Sequence, residues 1–352
     1  MTILKYTCFC LLFLFLQTQN IHSGEKSVAF LGESYSSEND ETGINEEILS
    51  RLFSLIQKQS PSAVVFTGNM TLGLQKNANE VPPKETKPPE MQPSPLLEAI
   101  DRTQWPRPGY SFNPLAFQKA FDRFVALKNE SLGKNVPFYP ILGEHESYGP
   151  DVSEIVQKAF NIESQVPSFV SPLAYTFSID KCLFIVFSVA QFSQNGQGAT
   201  HSELTLPLIK WLNGILEEKS KNFDYIFVAG NQPAFSTTGV TANFQGLDVH
   251  SSQRDLFWRI LMKYKVTAYF CAQEHLYDRT NRHGVWQIIS GGAGAPLYKR
   301  DFDKAFYHYV RLILPHQNQL LPKIQVFDIQ GNLIDEIELA PSHYPVYQLR
   351  IS

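Results

Sequence analysis

The sequence predicts an α/β protein. Short runs of β-branched and aromatic residues recur along the chain, each bounded by Gly, Pro or polar residues, as buried strands are. Between them, apolar residues return at helical spacing, and strand–helix alternation of this kind means an α/β architecture. Hydrophobic residues make up 43% of the 352, so a sizeable core can be buried.

Strands are expected over 27–31, 62–67, 138–142, 183–189, 224–229 and 266–271. Ile44, Ile48, Leu52 and Ile56 share one helix face, with Glu46 and Glu47 in the first turn and Lys58 near the end, which suits the helix dipole. Leu115, Phe121, Phe124 and Val125 form a second stripe. Leu204, Leu208, Trp211, Leu212 and Ile215 form a third, and Leu256, Trp258, Ile260 and Leu261 a fourth. Further on, strands are expected over 285–290, 307–314, 323–329 and 333–339 with few helices between them, and Gln330-Gly331-Asn332 supplies a hairpin turn. The stretch 77–113 is rich in Pro, Lys and Glu and is expected to be an irregular surface insertion.

Residues 1–23 resemble an export signal: Lys5 precedes an unbroken apolar run from Tyr6 to Leu16, and a polar stretch ends in Ser23 and Gly24. The run is too short to span a bilayer, although an N-terminal anchor is the competing reading. The mature chain is expected to be one domain over 24–352, secreted or in the lumen of the secretory pathway, with no transmembrane anchor once the signal is removed. Net charge is −4, which argues against nucleic acid or an anionic membrane as main partner. Cys182 and Cys271 sit in strand-like runs, where two separate buried thiols are favoured over one disulfide. Two sequons occur, at Asn69 and Asn129.

Five segments follow strands, where an α/β sheet presents its functional edge: Gly32-Glu33-Ser34-Tyr35, Gly68-Asn69-Met70, Gly143-Glu144-His145-Glu146, Gly230-Asn231-Gln232-Pro233 and Ala272-Gln273-Glu274-His275. In this order they resemble the signature GD…GD…GNH[DE]…H…GHxH of the calcineurin-like metallophosphoesterases. Val228–Ser236 and Trp286–Gly294 are most similar to the purple acid phosphatases of that superfamily. The resemblance implies two packed mixed β-sheets flanked by helices, an αββα sandwich. It also implies a metal pair that positions a phosphate and activates a hydroxide.

The departures point to a dismantled metal centre. Glu33 stands for an aspartate, Asn69 for the bridging aspartate, Glu144 for an asparagine, Asn231 and Gln273 for histidines, and Leu72 for a tyrosine ligand. His275 matches the last metal ligand, His145 matches a proton donor or phosphate contact, and Glu146 follows it as in the family. His145 and Glu146 are therefore the candidate catalytic residues, vestigial or residual. Glu33, Asn69, Glu144, Asn231, Gln273 and His275 are the candidate metal positions. No cofactor is expected; the oxygen-rich set would suit a single Ca²⁺ or Mg²⁺ better than an Fe/Zn pair, and a water-filled polar pocket is the plainer alternative.

These residues favour a non-catalytic binding or scaffold protein with an unidentified protein partner. The glideosome-associated acid-phosphatase-like proteins of apicomplexan parasites are similar in this erosion, down to a Gln-Pro pair matching Gln232-Pro233. The runner-up is a weakly active phosphomonoesterase resting on His145, His275, Glu33 and Glu144, and a third reading is a Ca²⁺ carrier.

Overall fold

A computed structural model describes residues 24–36, 42–72, 74–76, 110–148, 151–189, 204–238, 246–298, 303–316 and 321–340. The export-signal expectation lies outside these residues.

Two six-stranded mixed sheets pack face to face. The first contains β1 (Ser27–Leu31), β2 (Ala63–Phe66), β5 (Phe138–Pro140), β12 (His308–Ile313), β13 (Lys323–Asp328) and β14 (Leu333–Glu338). Its order is β14-β13-β12-β1-β2-β5, with β1, β2 and β5 parallel and the remaining pairs antiparallel. The second sheet contains β6 (Ala174–Ile179), β7 (Cys182–Phe187), β8 (Tyr225–Ala229), β9 (Ala268–Cys271), β10 (Tyr277–Arg282) and β11 (Val285–Ser290). Its order is β10-β11-β9-β8-β7-β6, parallel from β7 through β8 and β9 to β11. Phe30 of β1 stacks on Phe270 of β9 at 3.8 Å between ring centroids and joins the sheets.

Helices cover the outer faces. On the first sheet, α1 (Glu46–Lys58) and α2 (Pro114–Ser131) bring Phe53 and Phe124 onto Phe66 and Phe138. On the second, α4 (Leu206–Lys219) and α5 (Ser251–Lys263) bury Leu208, Leu212, Phe257 and Trp258 in a separate core cluster with Tyr269. A short α3 (Val152–Phe160) runs beside β5. The architecture is the expected αββα sandwich.

Three expectations need correction. Leu115 is 82% exposed; the buried stripe of α2 runs through Phe117, Ala120, Phe121, Phe124 and Leu127 instead. Within the stretch expected to be irregular, β4 (Tyr110–Phe112) pairs antiparallel with β3 (Leu74–Lys76), and Asn113 caps α2 through its side chain. The rest of that stretch lies outside the described residues. Strands β6 and β10 were not anticipated, because Thr176, Ser178 and the polar run Asp278–Arg282 dilute the apolar signal; β10 is half exposed at a sheet edge.

Cys182 and Cys271 remain two separate buried thiols, and burial pushes the Cys182 thiol up to about 12. Among the described residues no helix is long and apolar enough to cross a membrane.

Candidate functional site

The five segments emerge from the carboxyl ends of β1, β2, β5, β8 and β9, and the two sheets bring those ends together at one edge. Close approach there requires glycine. At Gly68, with φ +104°, a Cβ would lie 3.1 Å from Gly143 Cα and 3.2 Å from Asn231 Cβ. Three non-glycine residues also sit in the left-handed region, Glu33 (φ +68°), Asn69 (φ +52°) and Gln273 (φ +65°). Such conformations cost free energy and persist where surrounding contacts over-determine them.

The contacts are specific. Both carboxylate oxygens of Glu33, which is fully buried, accept from the Asn69 Nδ2 amide at 3.1 and 2.9 Å, and Oε1 also accepts from the Gln273 N–H at 3.0 Å. His275 Nε2 lies 3.4 Å from Glu33 Oε2. The orientation of the Asn69 amide is fixed, because its Oδ1 accepts the His145 N–H at 3.1 Å while its Nδ2 faces the carboxylate. His145 donates through Nδ1 to the Leu72 carbonyl at 3.1 Å, and its Nε2 is 3.7 Å from Glu144 Oε1 at the half-buried mouth of the site. His275 donates through Nδ1 to the Pro296 carbonyl at 2.6 Å, leaving Nε2 turned toward Glu33.

Glu146 ties two loops together. Its carboxyl accepts backbone N–H groups from Asn69 at 3.0 Å, Met70 at 2.7 Å, Thr71 at 3.3 Å and Gly143 at 2.8 Å. Burial pushes it up to about 7 against the pull of the N–H donors. Asn231 Oδ1 accepts the Val189 N–H at 3.0 Å; its Nδ2 and Gln273 Oε1 are buried with no partner among the described residues. Two neighbours carry weight that the sequence did not signal. Tyr35 lies between the histidine rings, and Glu274, raised by burial, holds Ser236, Thr237 and Thr238 beside the fourth segment. Both stand inside quoted segments, yet an aromatic or a glutamate there has no meaning until the fold places it. Of the sequons, Asn69 is fully buried and Asn129 is half-buried within α2.

A two-metal centre does not fit these side chains. Where the resemblance implies a bridging carboxylate, Asn69 presents the hydrogens of its amide, and the neighbouring Glu33 carboxylate already accepts from the donors around it. A neutral amide cannot offset the repulsion between two dications. Among the described residues no three His, Cys, Asp or Glu side chains come together as metal ligands would.

Solved structures share this architecture over most of the described chain. A purple acid phosphatase from yellow lupin (Lupinus luteus) seeds superposes with a TM-score of 0.59 at 12% identity, over 90% of this chain and 54% of that one. A dimetal phosphatase from Danio rerio gives 0.57 at 10% identity, over 90% and 99%. The chain has the calcineurin-like metallophosphoesterase fold. The same fold is shared with GAP50, the anchor in the inner membrane complex of Plasmodium, at a TM-score of 0.53 and 13% identity over 90% and 89% of the two chains. In sequence, tartrate-resistant acid phosphatase type 5 of Oryctolagus cuniculus is 25% identical over 186 residues, 50% of this chain and 54% of that protein. The chain thus spans about half the length of that curated relative. No family model matches the sequence.

Proposed function

We propose that this is an exported, non-catalytic protein that uses the phosphoesterase fold for binding or scaffolding, without an Fe/Zn pair. One observation carries the reading: the Glu33 carboxylate is held by the Asn69 amide and the Gln273 N–H, with the His275 ring beside it, so hydrogen bonds from two other loops meet where the resemblance implies metal ligands. Two of the substitutions make sense in that light. Asn69 provides the donor that an aspartate could not, and Glu33 is long enough to receive it. An anchoring role is supported by the shared fold with the GAP50 anchor. The similarity to an acid phosphatase keeps weak phosphomonoesterase activity as the second reading.

The test is elemental analysis and p-nitrophenyl phosphate hydrolysis on one purified sample. The expected result is substoichiometric Fe, Zn and Mn, with turnover at least ~10²–10³ below an intact dimetal phosphatase, as loss of even one electrostatic contact costs that much. Two tightly held transition-metal ions per chain with turnover would falsify the proposal. One stoichiometric Ca²⁺ or Mg²⁺ without turnover would leave the non-catalytic reading in place and turn it toward a cation carrier.

A further inference from the structure

Tyr35 fills the middle of the site. Its ring centroid is 4.4 Å from that of His145 and 5.5 Å from that of His275, which it meets edge-on, and its hydroxyl is 3.4 Å from His275 Nε2. The residue is 3% exposed and packs with Leu72 and Ala295 in a small apolar cluster separate from the two main cores. Its backbone is clasped from several sides. Tyr35 bridges to Ile44, the Ser36 N–H donates to the Gly43 carbonyl, and the Leu72 N–H donates to that same carbonyl. The Ser34 hydroxyl reaches the Met70 carbonyl, and the Asn45 N–H reaches the Ser34 carbonyl. A ring in van der Waals contact with both imidazoles leaves no room between them for a phosphate-sized group.

We propose that Tyr35 is a plug, an aromatic side chain that closes the cleft from within by occupying the space between His145 and His275. The inference deepens the non-catalytic reading and rests on it. The two histidines become walls of a packed aromatic site, and Leu72 becomes part of its apolar floor. The space the ring occupies is shaped for a phenol, so its removal would leave a cavity that accepts p-cresol, the tyrosine side chain without its backbone.

The experiment compares the full chain with Tyr35→Ala, Tyr35→Leu and Tyr35→Phe. It follows thermal unfolding, p-cresol binding by calorimetry, and diethylpyrocarbonate labelling of His145 and His275 mapped by mass spectrometry. The unaltered chain and Tyr35→Phe should bind no p-cresol and keep both histidines protected. Tyr35→Ala should melt about 5–10 °C lower, bind one p-cresol and recover part of the loss. Its two histidines should label roughly tenfold faster, with Tyr35→Leu in between. If Tyr35→Ala fails to fold, Tyr35→Leu decides: unchanged protection in a folded Tyr35→Leu overturns the plug. A folded Tyr35→Ala that binds no p-cresol and keeps both histidines protected overturns it as well. These outcomes are independent of the metal and turnover measurements on the unaltered chain, so the plug can fail while the non-catalytic reading stands.

Discussion

At Asn69, exchanging one NH₂ for an oxygen separates two kinds of site. An aspartate there would set a second carboxylate about 3 Å from the buried Glu33 and remove the donor that both Glu33 oxygens use. Two carboxylates that close cannot both stay ionised without a cation, so one would take up a proton. Asn69→Asp should therefore lose about 2–4 kcal/mol at pH 7.5 and regain part of it near pH 5, in chemical denaturation at both values. Full stability at pH 7.5 with no metal added would show that Glu33 does not depend on the amide. The identities at this position were legible in the sequence, since the segments lined up in order. What could not be read was that Asn69 and Glu33 pair with each other. That depends on Asn69 Nδ2 and Gln273 N–H pointing at one carboxylate from loops far apart in the chain.

Single elements show the same division between local and tertiary information. The helix α4 was legible from its apolar spacing, while its Thr205 cap shows only in the structure, and Gly214 within it faces open space and meets no neighbour within 4 Å. Gly214→Ala should therefore stabilise the protein by about 0.5–1 kcal/mol through helix propensity alone. Gly143 is the opposite case. A Cβ there would collide with Asn69 Oδ1 and with the Asn69 nitrogen at 2.6 Å, backbone that Glu146 already ties down. Gly143→Ala should cost about 3 kcal/mol or more, since nothing nearby can yield cheaply. Thermal or urea unfolding of the two variants checks both, and equal effects would contradict the packing difference. Strand β10 escaped sequence reading for a tertiary reason. Tyr277 and Arg279 on it both bond Asp335 of β14, joining the edges of the two sheets, and such a polar strand carries no apolar alternation.

At the scale of the whole molecule, two buried titratable groups among the described residues, Glu146 and His308, set opposite pH slopes. Burial pushes Glu146 up to about 7 from an ordinary 4.5, so the folded state holds the extra proton between those values and stability falls as pH rises through them. Burial pushes His308 down to about 4 from 6.5, so the unfolded state holds the extra proton and stability falls as pH drops from 6.5 to 4. Each effect amounts to roughly 3 kcal/mol at most, and the two oppose each other between pH 5 and 6.5, where Glu274, also raised by burial, adds to the slope set by Glu146. In His308→Gln the acid-side loss should disappear, leaving stability that declines with rising pH up to about 7. Denaturation midpoints across pH 4–8 check this, and an unchanged acid limb in the variant would contradict it. His308 lies beneath Gly292, in the turn leading to the Pro296 carbonyl that orients His275, so the slope reports on the support of the site. The sequence by itself determined the α/β class, most of the strands and helices, and the five segments with their substitutions. Those signals are local: hydrophobic period, charges at helix ends, and residue types placed just after strands. Only the tertiary structure decided that Glu146 clamps backbone, that Glu33 is held by donors from two other loops, and that Tyr35 packs against both histidines. Each is a contact between residues 36 to 240 positions apart, or a direction taken by a side chain, and neither leaves a periodic trace in the chain.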